Sequence, residues 1–192
     1  MEFITNIAGI DLLLALGFGG FFILGFAQGT IRRLIGLASV LFSFLLAANV
    51  AEPLGAFLSR NWTQFYPEYS YTVGFLTVFV ASSIAFALVA QGFYKPQPLF
   101  AKARFVDEAL GGILGVIQFG VILSALVIIL DSFFAIPSIE PRNELPVMRE
   151  VWTALDGSAI VGALRSTFIP LFMDIFGFLV PDSIEAMYPS GS

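Results

Sequence analysis

Four long stretches without a charged residue constrain this chain more than any other feature of its sequence. They cover Leu12–Ile31, Leu34–Ala51, Tyr69–Tyr94 and Ala109–Leu130. A helix needs about 20 predominantly apolar residues, each rising about 1.5 Å, to cross the roughly 30 Å hydrocarbon core of a bilayer. None of the stretches alternates apolar and polar residues as the strands of a membrane barrel do. The sequence therefore predicts an all-α membrane protein with four transmembrane helices.

The composition supports lipid as the solvent for these stretches. Apolar residues make up 58% of the chain, charged residues 12%, and the mean hydropathy is +0.91. A soluble fold would have to cover four apolar helices, and too little polar chain remains to do so. The absence of cysteine and histidine excludes thiolate metal sites, disulfides and Ser-His-Asp catalysis. With a net charge of −5 the chain is not expected to bind nucleic acid, and no catalytic residue, metal site or cofactor is predicted.

The basic residues predict how the chain is oriented in the membrane. Two of the connections between predicted spans carry most of them: Arg32 and Arg33 in the first, and Lys95, Lys102 and Arg104 in the third. Lys and Arg beside membrane helices favour the cytoplasmic side. A cleaved signal peptide needs basic residues ahead of its apolar segment, whereas the only charge before Asp11 is Glu2. We therefore predict an uncleaved, multi-pass protein with both termini extracytoplasmic.

The C-terminal part of the chain differs in character, which predicts two domains. Residues 1–135 form a transmembrane domain, and residues 136–192 form an extracytoplasmic amphipathic tail. Apolar residues recur in the tail every three or four positions, as on one face of a helix: Ile160, Leu164, Phe168, Leu171, Ile175 and Leu179. Pro170 is expected to break this helix into two pieces. The tail helices either lie at the outer membrane surface or pack on the bundle, or they form a short soluble hairpin.

Small residues recur at four-residue spacing within the predicted spans. The pairs are Gly25 with Gly29 and Gly111 with Gly115. Glycines at this spacing lie on one face of a helix and let two helix backbones approach closely, and such packing drives helix association in lipid. The pattern predicts helix packing within one chain or, alternatively, a contact between copies in a homo-oligomer.

Charged residues at the ends of the predicted spans form two candidate sites. Those at the predicted inner boundary are Arg32, Arg33, Asp107 and Glu108. Their opposite charges can pair at one depth. At the predicted outer boundary, Asp11 and Asp131 either share a proton or hold a cation, or both remain solvated at the interface. The side chain of Gln118, inside the fourth span, is expected to bond to a neighbouring helix.

Two motifs around these charges resemble those of the colicin V production protein family, a set of small bacterial inner-membrane proteins. Gln28-Gly29-Thr30-Ile31-Arg32-Arg33 is similar to the family's Arg-Gly-x-x-Arg-Glu turn. Asp107-Glu108-Ala109-Leu110-Gly111, followed by Gly115, is similar to its Asp-Arg-x-x-Gly-x-x-x-Gly motif at the start of the fourth span. The resemblance covers roughly residues 10 to 135.

Four positions depart from the family pattern. Gln28 and Gln118 stand where members carry arginine, Arg33 replaces a glutamate, and Glu108 replaces an arginine. At position 33 a basic residue thus replaces an acidic one, and at position 108 an acidic residue replaces a basic one. This exchange predicts an ion pair between Arg33 and Glu108 that joins the second and fourth spans.

The resemblance implies an inner-membrane accessory protein that supports toxin production or export and envelope homeostasis without catalysing a reaction. Its expected partners are the lipid bilayer and either other membrane proteins or further copies of itself. The alternative is an oligomeric channel or small-solute transporter, with a polar path lined by Asp11, Asp131 and the amide side chains of the spans. An intramembrane protease is the least favoured reading, because no aspartate lies within a predicted span and histidine is absent.

Overall fold

The computed structural model of the chain describes residues 9–61, 69–93, 103–134, 146–176 and 178. The described residues outside helices are Gly29, Ala103, Gly157 and Ser158. In chain order the helices are α1 (Gly9–Gln28), α2 (Thr30–Asn61), α3 (Tyr69–Phe93), α4 (Arg104–Phe134), α5 (Pro146–Asp156) and α6 (Ala159–Ala163), followed by a π-helical turn (Leu164–Phe168) and α7 (Ile169–Phe176). The predicted all-α fold is confirmed.

Five segments of the described chain are long and apolar enough to cross a membrane. They are Gly9–Gln28, Thr30–Asn61, Val73–Ala90, Arg104–Asp131 and Ala159–Phe176. The first four largely coincide with the four predicted spans. The fifth, which combines α6, the π-helical turn and α7 and is called here the C-terminal helix, belongs to the predicted tail. Length and composition alone are compatible with four crossings or with five.

The described helices contribute to two compact units. The first unit comprises Met1–Ser43 and Ala81–Leu123, and the second comprises Phe44–Val80 and Ser124–Ser192. Helices α2, α3 and α4 therefore each supply residues to both units. The division into domains after residue 135 remains a prediction.

Helices α1 and α4 of the first unit pack with their backbones nearly in contact. A methyl group on Gly25 would overlap the carbonyl oxygen of Gly111, and one on Gly115 would overlap that of Phe21. The two helices run antiparallel, because an earlier residue of α1 meets a later residue of α4. A methyl group on Gly111 would also lie 3.0 Å from the Cα of Gly29. The four glycines singled out in the sequence all lie at this contact.

A single glycine separates α1 from α2 and lets the chain reverse its direction. Gly29 has a φ of 75°, a conformation that glycine adopts without the steric cost that a Cβ imposes. Its N–H donates to the Gly25 carbonyl at 3.0 Å, and its own carbonyl accepts from the Arg33 N–H at 3.4 Å. The sequence placed the interruption at Arg32 and Arg33, but both arginines lie in the first turn of α2. Helix α1 therefore ends at the left-handed backbone conformation of Gly29, and not at the two charged residues.

Aromatic rings contribute to the core of the second unit. Phe44 of α2 lies edge-on to Phe75 of α3, with ring centroids 5.8 Å apart, and to Phe172 of α7, at 5.3 Å. A glycine brings α3 close to α2, since a Cβ on Gly74 would lie 3.4 Å from the Ala51 carbonyl oxygen. The C-terminal helix therefore contacts α2 through Phe172.

The C-terminal helix continues through Pro170 because a π-helical turn precedes the proline. The Ile169 N–H reaches back five residues to the Leu164 carbonyl. Proline lacks an N–H and its ring crowds the carbonyl four residues earlier, and the wider turn accommodates both effects. The predicted break at Pro170 is wrong.

The same turn changes which residues of the C-terminal helix are buried. The buried apolar side chains are Val161, Leu164, Ile169, Phe172 and Met173. Of the predicted stripe, Leu164 is buried and Ile160 and Phe168 are half-buried. The stripe is wrong at Leu171 and Ile175, which are 55% and 53% exposed. The π-helical turn contains one residue more than an α-helical turn, which rotates the following segment about the helix axis. Residues three or four positions apart therefore no longer lie on one face when the turn separates them. Leu179 lies outside the described residues.

Candidate functional site: two polar clusters between helices

The start of α4 lies against the start of α2 in the first unit. Thr30 Oγ1 donates to the backbone carbonyl of Asp107 at 2.8 Å. A methyl group on Gly29 would lie 2.5 Å from a carboxylate oxygen of Asp107, which places that carboxylate at the turn. Thr30 and Asp107 are both buried. A carboxylate here offsets the partial positive charge at the N-termini of both helices, so Asp107 stabilises the turn.

Arg33 extends from the first turn of α2 towards Gln118 of α4. Its Nη1 donates to Gln118 Oε1 at 2.8 Å, and its guanidinium carbon lies 5.5 Å from the centre of the Phe21 ring. Arg33 is only 6% exposed, and its Nε is buried without a hydrogen-bond partner. Gln118 thus bonds to a neighbouring helix, as predicted.

The predicted ion pair between Arg33 and Glu108 is wrong. Glu108 instead accepts a 2.7 Å hydrogen bond from Arg104 Nε, one turn earlier on α4. At about 1.5 Å per residue, Gln118 lies about 15 Å further along α4 than Glu108. The Arg33 side chain that bonds to Gln118 therefore does not also reach Glu108. We therefore expect that Glu108→Arg does not rescue Arg33→Glu. Arg32, the remaining member of the predicted cluster, is half-buried and forms no ion pair with a described residue.

Arg165, in the π-helical turn, joins the C-terminal helix to α4 and α5 in the second unit. Its Nε and Nη2 donate to Oδ2 and Oδ1 of Asp131 at 2.9 and 2.6 Å, the parallel pair of bonds that suits a guanidinium and a carboxylate. Its Nη1 donates to Asp156 Oδ1 at 2.5 Å. Trp152 Nε1 donates to Asp131 Oδ1 at 2.9 Å. These four residues are called here the Arg165 cluster.

Local features of the sequence hold the Arg165 cluster in place. Helix α5 ends at Asp156, and Ser158 then caps α6, its Oγ accepting from the Val161 N–H at 3.1 Å. This two-residue connection turns the chain back so that Asp156 meets Arg165. Arg165 extends from the π-helical turn to Asp131.

Two acidic and two basic side chains meet near the end of α4. The side chains of Asp131, Arg165 and Asp156 are 7%, 24% and 49% exposed, so the bond to Asp131 is the shielded one. The Arg149 guanidinium lies over the rings of Phe134 and Trp152, at 5.1 and 5.6 Å, and adds a second positive charge. Two acids therefore face two guanidinium groups at the end of α4.

Asp131 is buried and paired, so the alternative in which it stays solvated at the interface is wrong. Arg165 and Trp152 occupy both of its carboxylate oxygens. Arg165 thus takes the place of the shared proton or cation considered from the sequence. Asp11 lies half-buried in the first turn of α1 and belongs to the other unit, and its pairing with Asp131 remains a prediction.

Sequence reasoning missed Arg165, Asp156 and Trp152. A signal for Arg165 was present, because it is the only basic residue in the apolar stretch Ala159–Phe176. A charge within a segment of this kind requires a partner of opposite sign. Asp131, which ends the preceding apolar stretch, was one candidate for this partner.

The described part of the chain holds no cluster of three or more acidic, cysteine or histidine side chains that could bind a metal. Its polar side chains instead link helices that are long enough to cross a membrane. These features define a multi-pass, all-α membrane protein. The chain belongs to the colicin V production protein family, which it matches over residues 10–167. No curated protein and no solved structure matches the chain.

The family match extends beyond the resemblance seen in the motifs and includes the Arg165 cluster. Membership supports an accessory membrane role in colicin V production. Enzymatic activity is not known for this family.

Proposed function

We propose that this chain is a non-enzymatic accessory protein of the bacterial inner membrane that supports colicin V production or export and envelope homeostasis through contacts with other membrane proteins. The family match over residues 10–167 carries the proposal, since it takes in the long apolar helices and the start of the C-terminal helix. The Arg165 cluster adds support. Its donors and acceptors are occupied by one another rather than arranged around a cleft for a substrate.

The proposal is tested by deleting the coding sequence in a bacterium that produces colicin V. Toxin activity is measured separately in the culture supernatant and in the cells, which distinguishes export from production. We expect the deletion to lower secreted toxin. Expression of the wild-type chain or of the exposed-residue control Arg60→Gln should restore it, and Arg165→Gln should not. Unchanged toxin activity in the deletion strain contradicts the proposal.

Photo-crosslinking in native membranes tests the mode of action. A photoreactive residue at an exposed position such as Ile84 or Ile113 should capture another membrane protein during toxin production. Capture of lipid alone at every exposed position argues against an accessory role through protein contacts.

The second candidate function is an oligomeric channel or small-solute transporter. The observation that favours it is Arg33, a buried charge in a membrane-length helix whose hydrogen-bond partner is a neutral amide. Ion or solute flux is measured in proteoliposomes with the wild-type chain, Asp11→Asn, Asp131→Asn and Arg33→Gln. Flux that depends on these side chains supports a channel, and the absence of flux supports the accessory role.

For the orientation, we propose that both termini are extracytoplasmic, because basic residues flank the predicted inner ends of the first four spans. A crossing by the C-terminal helix would instead bring the C-terminus into the cytoplasm. Alkaline phosphatase fused after Ser192 should be active if the chain crosses four times. Activity only of a cytoplasmic reporter at that position contradicts the orientation.

A further inference from the structure

We propose that Arg33 and Gln118 form a binding site for a phosphate group between α2 and α4 in the first unit. The phosphate is either a free anion or the headgroup phosphodiester of a lipid. The inference rests on the surroundings of these two side chains and is independent of the accessory role in toxin production.

The site lies along α2, beyond its first turn. A Cβ on Gly36 would be 3.1 Å from the amide nitrogen of Gln118, so the amide is level with Gly36. Gly36 is six residues beyond Thr30, the first residue of α2, which corresponds to about 9 Å of helix. A charge buried between membrane-length helices is costly unless it is paired, and charged side chains within such helices mark sites of function.

The positive charge of Arg33 has no acidic counterpart among the described residues. The ion pairs in that part of the chain involve Arg104 with Glu108 and Arg165 with two aspartates. Arg33 is hydrogen-bonded to an uncharged amide and lies over an aromatic ring. The adjacent Arg32 adds positive potential, while the Asp107 carboxylate at the Gly29 turn offsets the N-terminus of α2. An anion would supply the missing charge.

The donors that remain at the site suit a phosphate. Gln118 occupies Nη1 of Arg33, while Nε is buried without an acceptor. The Nε edge of a guanidinium is one of those that bind two oxygens of a phosphate or carboxylate in parallel. The amide group of Gln118, whose oxygen accepts from Arg33, carries a further donor in its nitrogen. Among oxyanions, phosphate groups are the ones that the membrane itself presents, and basic pockets between membrane helices bind lipid headgroups.

The test uses the full chain purified in detergent and depleted of lipid. Inorganic phosphate is titrated against chloride at equal ionic strength, and thermal unfolding is followed. A ligand at 100 times its dissociation constant lowers the unfolding equilibrium constant about 100-fold, so the Tm should rise with the logarithm of the phosphate concentration. In a second arm, the chain is reconstituted in phosphatidylcholine with or without phosphatidylglycerol, re-extracted, and examined for retained lipid by native mass spectrometry.

Variants assign the effect to the site. Arg33→Gln should abolish the phosphate effect and the lipid retention, whereas Arg60→Gln, which removes an exposed arginine from the same helix, should leave both unchanged. Arg33→Lys keeps the charge but lacks the guanidinium edge and should lose most of the effect. If Arg33→Gln fails to fold, Gln118→Met retains Arg33 and should weaken binding.

The two arms separate the sources of the phosphate. A phosphate-dependent rise in Tm that requires Arg33 indicates a free anion. Retention of phospholipid that requires Arg33 indicates a headgroup. The proposal is overturned if neither occurs, or if the responses of Arg33→Gln or, where that variant does not fold, of Gln118→Met equal those of the wild-type chain.

Discussion

Removing the charge of Arg165 should destabilise the second unit more than removing any exposed arginine. The Asp131 side chain is 7% exposed and that of Arg165 is 24% exposed, so the pair is largely shielded from water. Removal of one partner from a buried ion pair costs about 3 to 5 kcal/mol because the other charge is left unpaired. Because Arg165 is partly exposed, Arg165→Gln should lower the free energy of unfolding by about 3 kcal/mol, the lower limit of this range. This loss corresponds to about a 100-fold change in the unfolding equilibrium constant.

A double-mutant cycle tests whether this cost arises from the pair. Asp131→Asn and Arg165→Gln are measured singly and together by unfolding with sodium dodecyl sulfate in mixed micelles. In the double variant no charge is left unpaired, and the asparagine keeps an acceptor for Trp152. The double variant should therefore lose less stability than Arg165→Gln alone. Asp156→Asn should lower the free energy of unfolding by only about 0.5 kcal/mol, because the Asp156 side chain is 49% exposed. The reasoning is refuted if the two single losses simply add in the double variant.

Two further predictions concern packing. Gly25→Ala should destabilise the first unit by about 1 to 3 kcal/mol, because its methyl group would overlap the backbone of α4, whereas Gly20→Ala, with open space around it, should be neutral or stabilising. Detergent unfolding of both variants measures the difference, and equal losses contradict the close approach of α1 and α4. Phe172→Ala should cost about 3 kcal/mol, since this ring is 7% exposed, while the adjacent Leu171→Ala should cost less than about 0.5 kcal/mol. The reverse order in the same assay would contradict the register set by the π-helical turn.

The sequence predicted those parts of the fold that depend on composition and spacing within one helix. Lengths of apolar sequence located the four spans, because the thickness of a bilayer fixes how many residues a crossing needs. The repeated glycines Gly25 and Gly111 pointed to the helix faces that meet, because a missing side chain is what permits a close backbone approach.

The parts that sequence reasoning missed depend on single residues whose effect is three-dimensional. The π-helical turn before Pro170 adds one residue to a helix, and no periodic pattern in the sequence reports it. The partner of Arg33 was misassigned because two charged positions that differ from a family pattern need not be in contact. Arg33 bonds to Gln118 instead, a residue without charge. Asp131 was recognised as a candidate site residue, but its partner lies 34 positions later in the chain.

The central claim is that lipid solvates the apolar surfaces of the long helices. Because the chain has no cysteine, single cysteines can be introduced at exposed apolar positions and at one polar control. Suitable positions are Leu16, Ile23, Leu88 and Ile113, with Glu150 as the control. In permeabilised native membranes, a water-soluble maleimide should label the control cysteine but not the four apolar positions, which should react only after sodium dodecyl sulfate is added. Labelling of the apolar positions at the rate of the control would mean that water surrounds these helices, and the account would be wrong.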